Sequence, residues 1–271
     1  MTKFLRMKNI FYLLILTFVF SGCEKVIDVD LNDADPQIVI EGNVTADNGL
    51  AEVIISMTSS YFDTVPGLKI SDAEVFVTDE DGKKFRFYET GPGIYRSFEM
   101  RPRTNTAYKL TVEANGEVYQ AESTLKPTIA IDSVTWFYDE GTSFFDAGYY
   151  LNVYLLDPAE TDNYFRINIY RNGILKSSSD DLIIFNDRFV NGKKLEILLL
   201  NDPYRINDTV MVQLISIDEN VYEYFKTFTE LLNNNPGSAA PANPNSNLSN
   251  GALGYFSVWG SDTMSVIIRE E

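Results

Sequence analysis

The sequence predicts an all-β fold made of two antiparallel β domains. The first is an immunoglobulin- or transthyretin-like sandwich, and the second is a β-sandwich or barrel-like domain carrying one amphipathic helix. Three observations predict this. From Ile38 onward, short runs alternate apolar and polar residues with a period of two. Turn-forming pairs such as Asp81-Gly82, Asn115-Gly116 and Asn172-Gly173 separate the runs. Only Val221, Phe225, Phe228 and Leu232 recur at helical spacing.

Residues 1–22 have the three parts of an export signal. Lys3, Arg6 and Lys8 make a basic start, Ile10 to Phe20 is apolar apart from Thr17, and Ser21-Gly22 precede Cys23. This run is shorter than the ~20 apolar residues that span a bilayer, and it lacks the polar face of a buried core helix. Cys23 is the only cysteine in the chain. Phe20-Ser21-Gly22-Cys23 resembles the lipobox of bacterial lipoproteins, with Phe20 where leucine is usual. The resemblance implies cleavage before Cys23 and a lipid on its sulfur. Several acyl chains such as palmitate on one residue hold far better than one, because each buried methylene contributes about 0.8 kcal/mol. Residues 23–36 then read as an acidic tether. Asp28, Asp30 and Asp33 suggest a calcium loop, but Asp33 stands where glycine is needed and Val39 where glutamate is needed.

The predicted first domain covers 37–127. Ile38 with Ile40, Val53-Ile55-Met57, Ala73-Val75-Val77, Phe85 with Phe87, Ile94 to Phe98, Tyr108-Leu110-Val112 and Val118 to Ser123 supply about seven strands, as a sandwich requires. Lys126-Pro127 ends it. The second domain, 128–271, continues with strands at Val134–Tyr138, Tyr149–Leu156, Tyr164–Tyr170, Leu182–Phe185, Leu195–Leu200 and Thr209–Ile217. A helix over 219–233 follows, with Asp218 as a cap and Ser216/Glu219 at capping-box spacing. Asn, Pro, Ala and Ser make 233–250 an exposed loop. Order returns at Gly251 to Phe256, and Met264–Ile268 forms a last strand. The glycines at 251 and 254 lack the third glycine of a dinucleotide fingerprint.

Composition excludes several chemistries. The chain has no histidine, which removes Ser-His-Asp and Cys-His nucleophiles and histidine-ligated zinc or iron. With its one cysteine lipidated, the mature chain forms no internal disulfide. The net charge is −17, and loss of residues 1–22, which carry three positive charges and no negative ones, takes it to −20. Such a surface repels phosphate backbones, so nucleic acid is not a predicted partner. No cofactor or metal site is predicted. A carboxylate-pair hydrolase needs only two acids, and the chain has 39 from which no pair stands out.

Longer stretches carry two resemblances. Ala73 through Gly82, Pro92-Gly93-Ile94-Tyr95 and Tyr108-Lys109-Leu110 are similar to the carboxypeptidase-regulatory type of sandwich, usually a spacer or binding platform. Cys23-Glu24-Lys25-Val26-Ile27, Ile38 to Thr45, Ile131-Asp132-Ser133-Val134 and Asn250 to Phe256 resemble the lipoproteins of domain of unknown function 4249 from Bacteroidetes, over essentially the whole mature chain. Ala252 stands where that family more often has glycine. The resemblance implies an outer-membrane location and an accessory role in nutrient uptake beside a TonB-dependent receptor, and together with the anchor, the two β domains and the missing histidines it makes a non-enzymatic protein the expectation. In such bacteria Asp-Ser/Thr-apolar triplets can be O-glycosylated, and Asp63-Thr64-Val65, Asp132-Ser133-Val134, Asp208-Thr209-Val210 and Asp262-Thr263-Met264 match. A second expectation, a glycan-binding or adhesin module, places its surface on Trp136, Tyr255, Phe256 and Trp259, whose rings would otherwise serve the core.

Overall fold

The computed structural model describes residues 35–47, 49–59, 67–143, 145–188, 192–233 and 243–270. The signal, Cys23, the tether up to residue 34, Asp63-Thr64-Val65 and residues 234–242 of the predicted loop lie outside the described residues. Pro36–Glu271 forms one compact unit.

The fold is all-β, and the first half is a sandwich. β1 (Ile38–Thr45), β2 (Ala51–Met57) and β5 (Ile94–Arg96) make one side, and β3 (Glu74–Asp79), β6 (Ala107–Ala114) and β7 (Glu117–Thr124) the other. β4 (Lys84–Gly91) joins them, pairing with β3 through Lys84–Phe87 and with β5 through Tyr88–Gly91. The alternation in the sequence is the alternation in burial: Ile40, Val53, Ile55, Val77, Leu110 and Val112 are fully buried, while their neighbours along the strands are more exposed, Thr111 alone among them being buried as well.

In the second half, a three-stranded sheet ordered β13 (Lys194–Tyr204), β9 (Gly148–Leu156), β8 (Ile131–Asp139) faces β10 (Tyr164–Arg171), β14 (Thr209–Ile217) and β15 (Leu253–Ile267). β11 (Ile174–Leu175) and β12 (Ile183–Asn186) extend the second sheet beside β10. Leu151, Val153, Leu155, Phe165, Ile167, Val210 and Val212 fill the core between the two sheets.

β15 belongs to both halves. Its first part, Leu253 to Trp259, pairs in parallel with β1, and its second part, Gly260 to Ile267, pairs antiparallel with β14. A continuous sheet therefore runs from one sandwich into the other, and Phe256 and Val258 complete the first core from the far end of the chain. Gly254 makes the parallel pair feasible. Its φ is +96°, and a Cβ there would lie 2.1 Å from the carbonyl oxygen of Ile40.

Helix α1 (Glu219–Leu232) forms as its period requires. Val221 and Phe225 are buried against Ile215, Ile217 and Tyr255, Phe228 is half-buried and Leu232 is exposed. Asp218 is the cap, accepting from the Val221 N–H at 3.1 Å. Ser216 takes no part in capping, because it is a strand residue of β14 with a buried hydroxyl.

The described end of the predicted loop keeps Asn243, Asn245, Ser249 and Asn250 exposed but is fixed to the first sandwich. Ser249 N–H donates to the Gln120 carbonyl at 2.8 Å, Asn250 Nδ2 donates to the Val118 carbonyl at 2.6 Å, and Leu248 is buried in the first core. This segment covers the outer edge of β7, where unpaired backbone would otherwise meet water.

Candidate functional site

β9 and β10 run in opposite directions through the second sandwich, and a cavity opens at each end of it. The cavity of about 410 Å³ lies where β10 begins, β12 ends and α1 starts. Tyr164, the first residue of β10, and Tyr222, in the first turns of the helix, bring their rings to 5.1 Å at 45°. Asn186, the last residue of β12, donates from Nδ2 to the Tyr222 hydroxyl at 3.1 Å. Asp162, Asp187, Glu219, Glu223 and Arg188 complete the wall. Burial raises the Tyr164 phenol, and the nearby Glu219 carboxylate raises it further, so it is a neutral hydroxyl at physiological pH.

A buried carboxylate pair supports this wall from behind. Asp157 and Asp187 are each 2% exposed. Asn163 Nδ2 lies 3.1 Å from Asp157 Oδ1 and 3.1 Å from Asp187 Oδ2, and the Asn163 N–H also donates to Asp187 at 2.8 Å. Gly192 N–H donates to the other oxygen of Asp157 at 2.8 Å. Burial pushes the Asp157 carboxyl up, and the Asp187 charge adds to this, against the two hydrogen bonds. Asp157 does not line the cavity. The pair therefore holds the loop between β9 and β10 to the end of β12, rather than facing a substrate from two sides as a glycosidase pair does.

The cavity at the other end, about 470 Å³, is lined by Asp146, Asp180, Asp181 and Asp202 with Leu200 and the buried Tyr150. Lys176 reaches Asp181 at 2.9 Å and Asp202 at 3.4 Å. Behind it Tyr204 is buried, with a hydroxyl that has no hydrogen-bond partner and is pushed well above its ordinary value by burial.

The aromatic residues expected to form a surface do not form one together. Phe256 is fully buried in the first core. Tyr255 is 9% exposed, packs on Tyr224 at 4.9 Å and Phe225 at 5.0 Å, and shares a hydrogen bond with Asn43. Trp259 is half-buried against the same helix cluster. Trp136 is half-buried on β8, and its indole N–H donates to the Arg269 carbonyl at 3.0 Å. The cause is the position of β15: it is a central strand, with the first core on one face and the helix on the other. Tyr164 and Tyr222, which do line a cavity, escape sequence reading because 164 opens a strand and 222 flanks the apolar stripe. Cys23 lies outside the described residues.

Among the described residues no group of three or more acidic, cysteine or histidine side chains is placed to hold a metal ion. No helix among them is long and apolar enough to cross a membrane. The described O-glycosylation-like triplets place Thr209 and Thr263 on the surface and leave Ser133 half-buried.

A family model described as a domain of unknown function (DUF4249) matches residues 24–265 of the chain. No curated protein matches it. Among solved structures, the crystal structure of chicken CNTN1 FN1-FN3 domains is similar at 11% identity and a TM-score of 0.23, over 87% of this chain. The match spans 66% of that structure, just under two thirds of its length.

Proposed function

The chain belongs to the DUF4249 family, and on that premise we propose that it is a lipid-anchored outer-membrane protein without enzymatic activity. In this reading it is an accessory or binding partner of a TonB-dependent receptor in nutrient uptake. The observation that carries it is the order of its first residues: a basic start, an apolar run too short to span, and Ser21-Gly22 before the one cysteine. The absence of histidine from the chain supports a binding role over nucleophilic catalysis. The Tyr164–Tyr222 cavity supports it as well, since it offers ring edges, an amide and carboxylates but no activated nucleophile. The ligand it would hold is small and polar.

The anchoring half is tested by comparing the natural chain with Cys23→Ser in cells that process lipoproteins. The natural chain is expected in the outer-membrane fraction, with an N-terminal Cys23 whose mass is raised by a diacylglycerol and an acyl chain. Cys23→Ser is expected to leave that fraction. An unmodified Cys23 in membrane-bound protein would refute the anchor.

A further inference from the structure

β13 is the open edge of the second sandwich. Among the described residues, no strand pairs with the side of β13 that faces away from β9. Other edges are managed differently. Residues 246–250 cover β7, and β11 and β12 are only two and four residues long. β13 runs for 11 residues, and its regular part, Lys194 to Leu199 ahead of a break in register before Tyr204, is long enough to template another strand.

The side chains at this edge are unusual for a solvent boundary. Leu195 and Ile197 point toward the second core but are only partly buried, and Leu198 and Leu200 on the opposite face are 48% and 37% exposed. β8 lies next to β15, which puts β13 at the same side of the sandwich as β10 and β12. There Ile183 and Phe185 of β12 are also only half-buried against the same core. Both sheets therefore leave core residues incompletely covered along one seam. The acidic cavity of about 470 Å³ adjoins the Leu200 end of this seam, where Lys176 is the cation paired with Asp181 and Asp202 among four carboxylates.

We infer that this seam docks an extended segment of another protein, which pairs with β13 and carries arginine or lysine at the end that reaches Asp202. Backbone hydrogen bonds to β13 would supply affinity, and alternate apolar side chains would cover Leu195 and Ile197 on one face and Leu198 on the other. Specificity would come from charge. Asp202, whose side chain is 75% exposed, and the cavity behind it favour a cation and repel a carboxylate. A second copy of this chain suits the edge poorly, because each copy carries a net charge of −17 and would bring its own acids to the seam. The inference is independent of the lipid anchor and of the receptor reading.

The test uses two labelled peptides of about ten residues alternating Val and Thr, one ending in two arginines and one in two glutamates. Each is titrated by fluorescence anisotropy into the intact protein at low and moderate salt, with backbone amide exchange followed in parallel. The arginine peptide is expected to bind at least about tenfold tighter than the glutamate peptide and to slow exchange at alternate residues of β13. Leu198→Ser with Leu200→Ser, which removes apolar cover without adding charge, should weaken binding about tenfold or more. Asp202→Asn, at a side chain 75% exposed, should narrow the difference between the peptides, and Phe98→Ala, at an exposed side chain of the first sandwich, should change nothing. Absence of binding, equal binding of both peptides, binding without protection of β13, or a dimer through β13 seen by sedimentation without peptide would each overturn the inference.

Discussion

Asp157 shows how little of a buried polar pair can be read locally. It is one of 39 acidic residues, and Asp187 lies on a different strand ending. Only the fold of the loop after β9 onto the end of β12, through the amide of Asn163, brings the two together. Its raised carboxyl has a consequence for stability. In the interval from the ordinary aspartate range up to the folded-state value, the folded chain binds more protons than the unfolded one. Stability therefore falls as pH rises through that interval and is level above it. Asp157→Asn removes the titrating group, so the fall in stability of the natural protein from about pH 4 to pH 7 should be reduced in the variant. Urea denaturation at the two pH values measures both. At this same scale, Tyr255 and Phe256 serve the core, the alternative to a glycan-binding surface. Phe256 and Tyr255 look exposed in a glycine-flanked segment, but the parallel pairing of Gly254 with β1 buries them, and pairing across more than two hundred residues leaves no local signal.

At the scale of elements the sequence is far more informative. Strands of period two and the single helix of period 3.6 fall close to their predicted places, because each buries one face and the pattern records that face. The helix is found at Glu219–Leu232 against 219–233 expected. What the pattern does not record is which element covers which edge. Leu248 sits in a polar stretch that reads as loop, yet Ser249 and Asn250 hydrogen-bond the edge of β7 and draw it into the core. Asp218 likewise does more than cap. Its carboxylate accepts from the hydroxyl of Ser123 and from the Thr124 N–H at 3.1 Å, tying α1 to β7. Asp218→Ala should therefore cost more than an isolated cap, about 2–4 kcal/mol, because the Ser123 and Thr124 donors lose their buried acceptor as well. Thermal denaturation measures this. A loss confined to the ~1 kcal/mol of an ordinary cap would show that the tie to β7 contributes nothing.

For the molecule as a whole, the all-β class and the family were legible, and the unity of the two sandwiches was not. Lys126-Pro127 falls between β7 and β8, but β15 returns to pair with β1 and fills the first core with Phe256 and Val258. Charge belongs to this scale too. A net −17 gives long-range repulsion of anionic partners and attraction of basic ones, both weakened by salt beyond a Debye length of about 8 Å. The proposed role adds a lipid anchor to an acidic, β-rich body with cavities at the two ends of its second sandwich and an open edge between them. The measurement that bears most directly on that role is affinity purification of the tagged natural chain from mildly solubilised outer membranes, with Cys23→Ser in parallel. The account predicts a TonB-dependent receptor recovered in near-stoichiometric amount with the natural chain and lost with the variant. Recovery of the natural chain from the outer membrane with no receptor would contradict it.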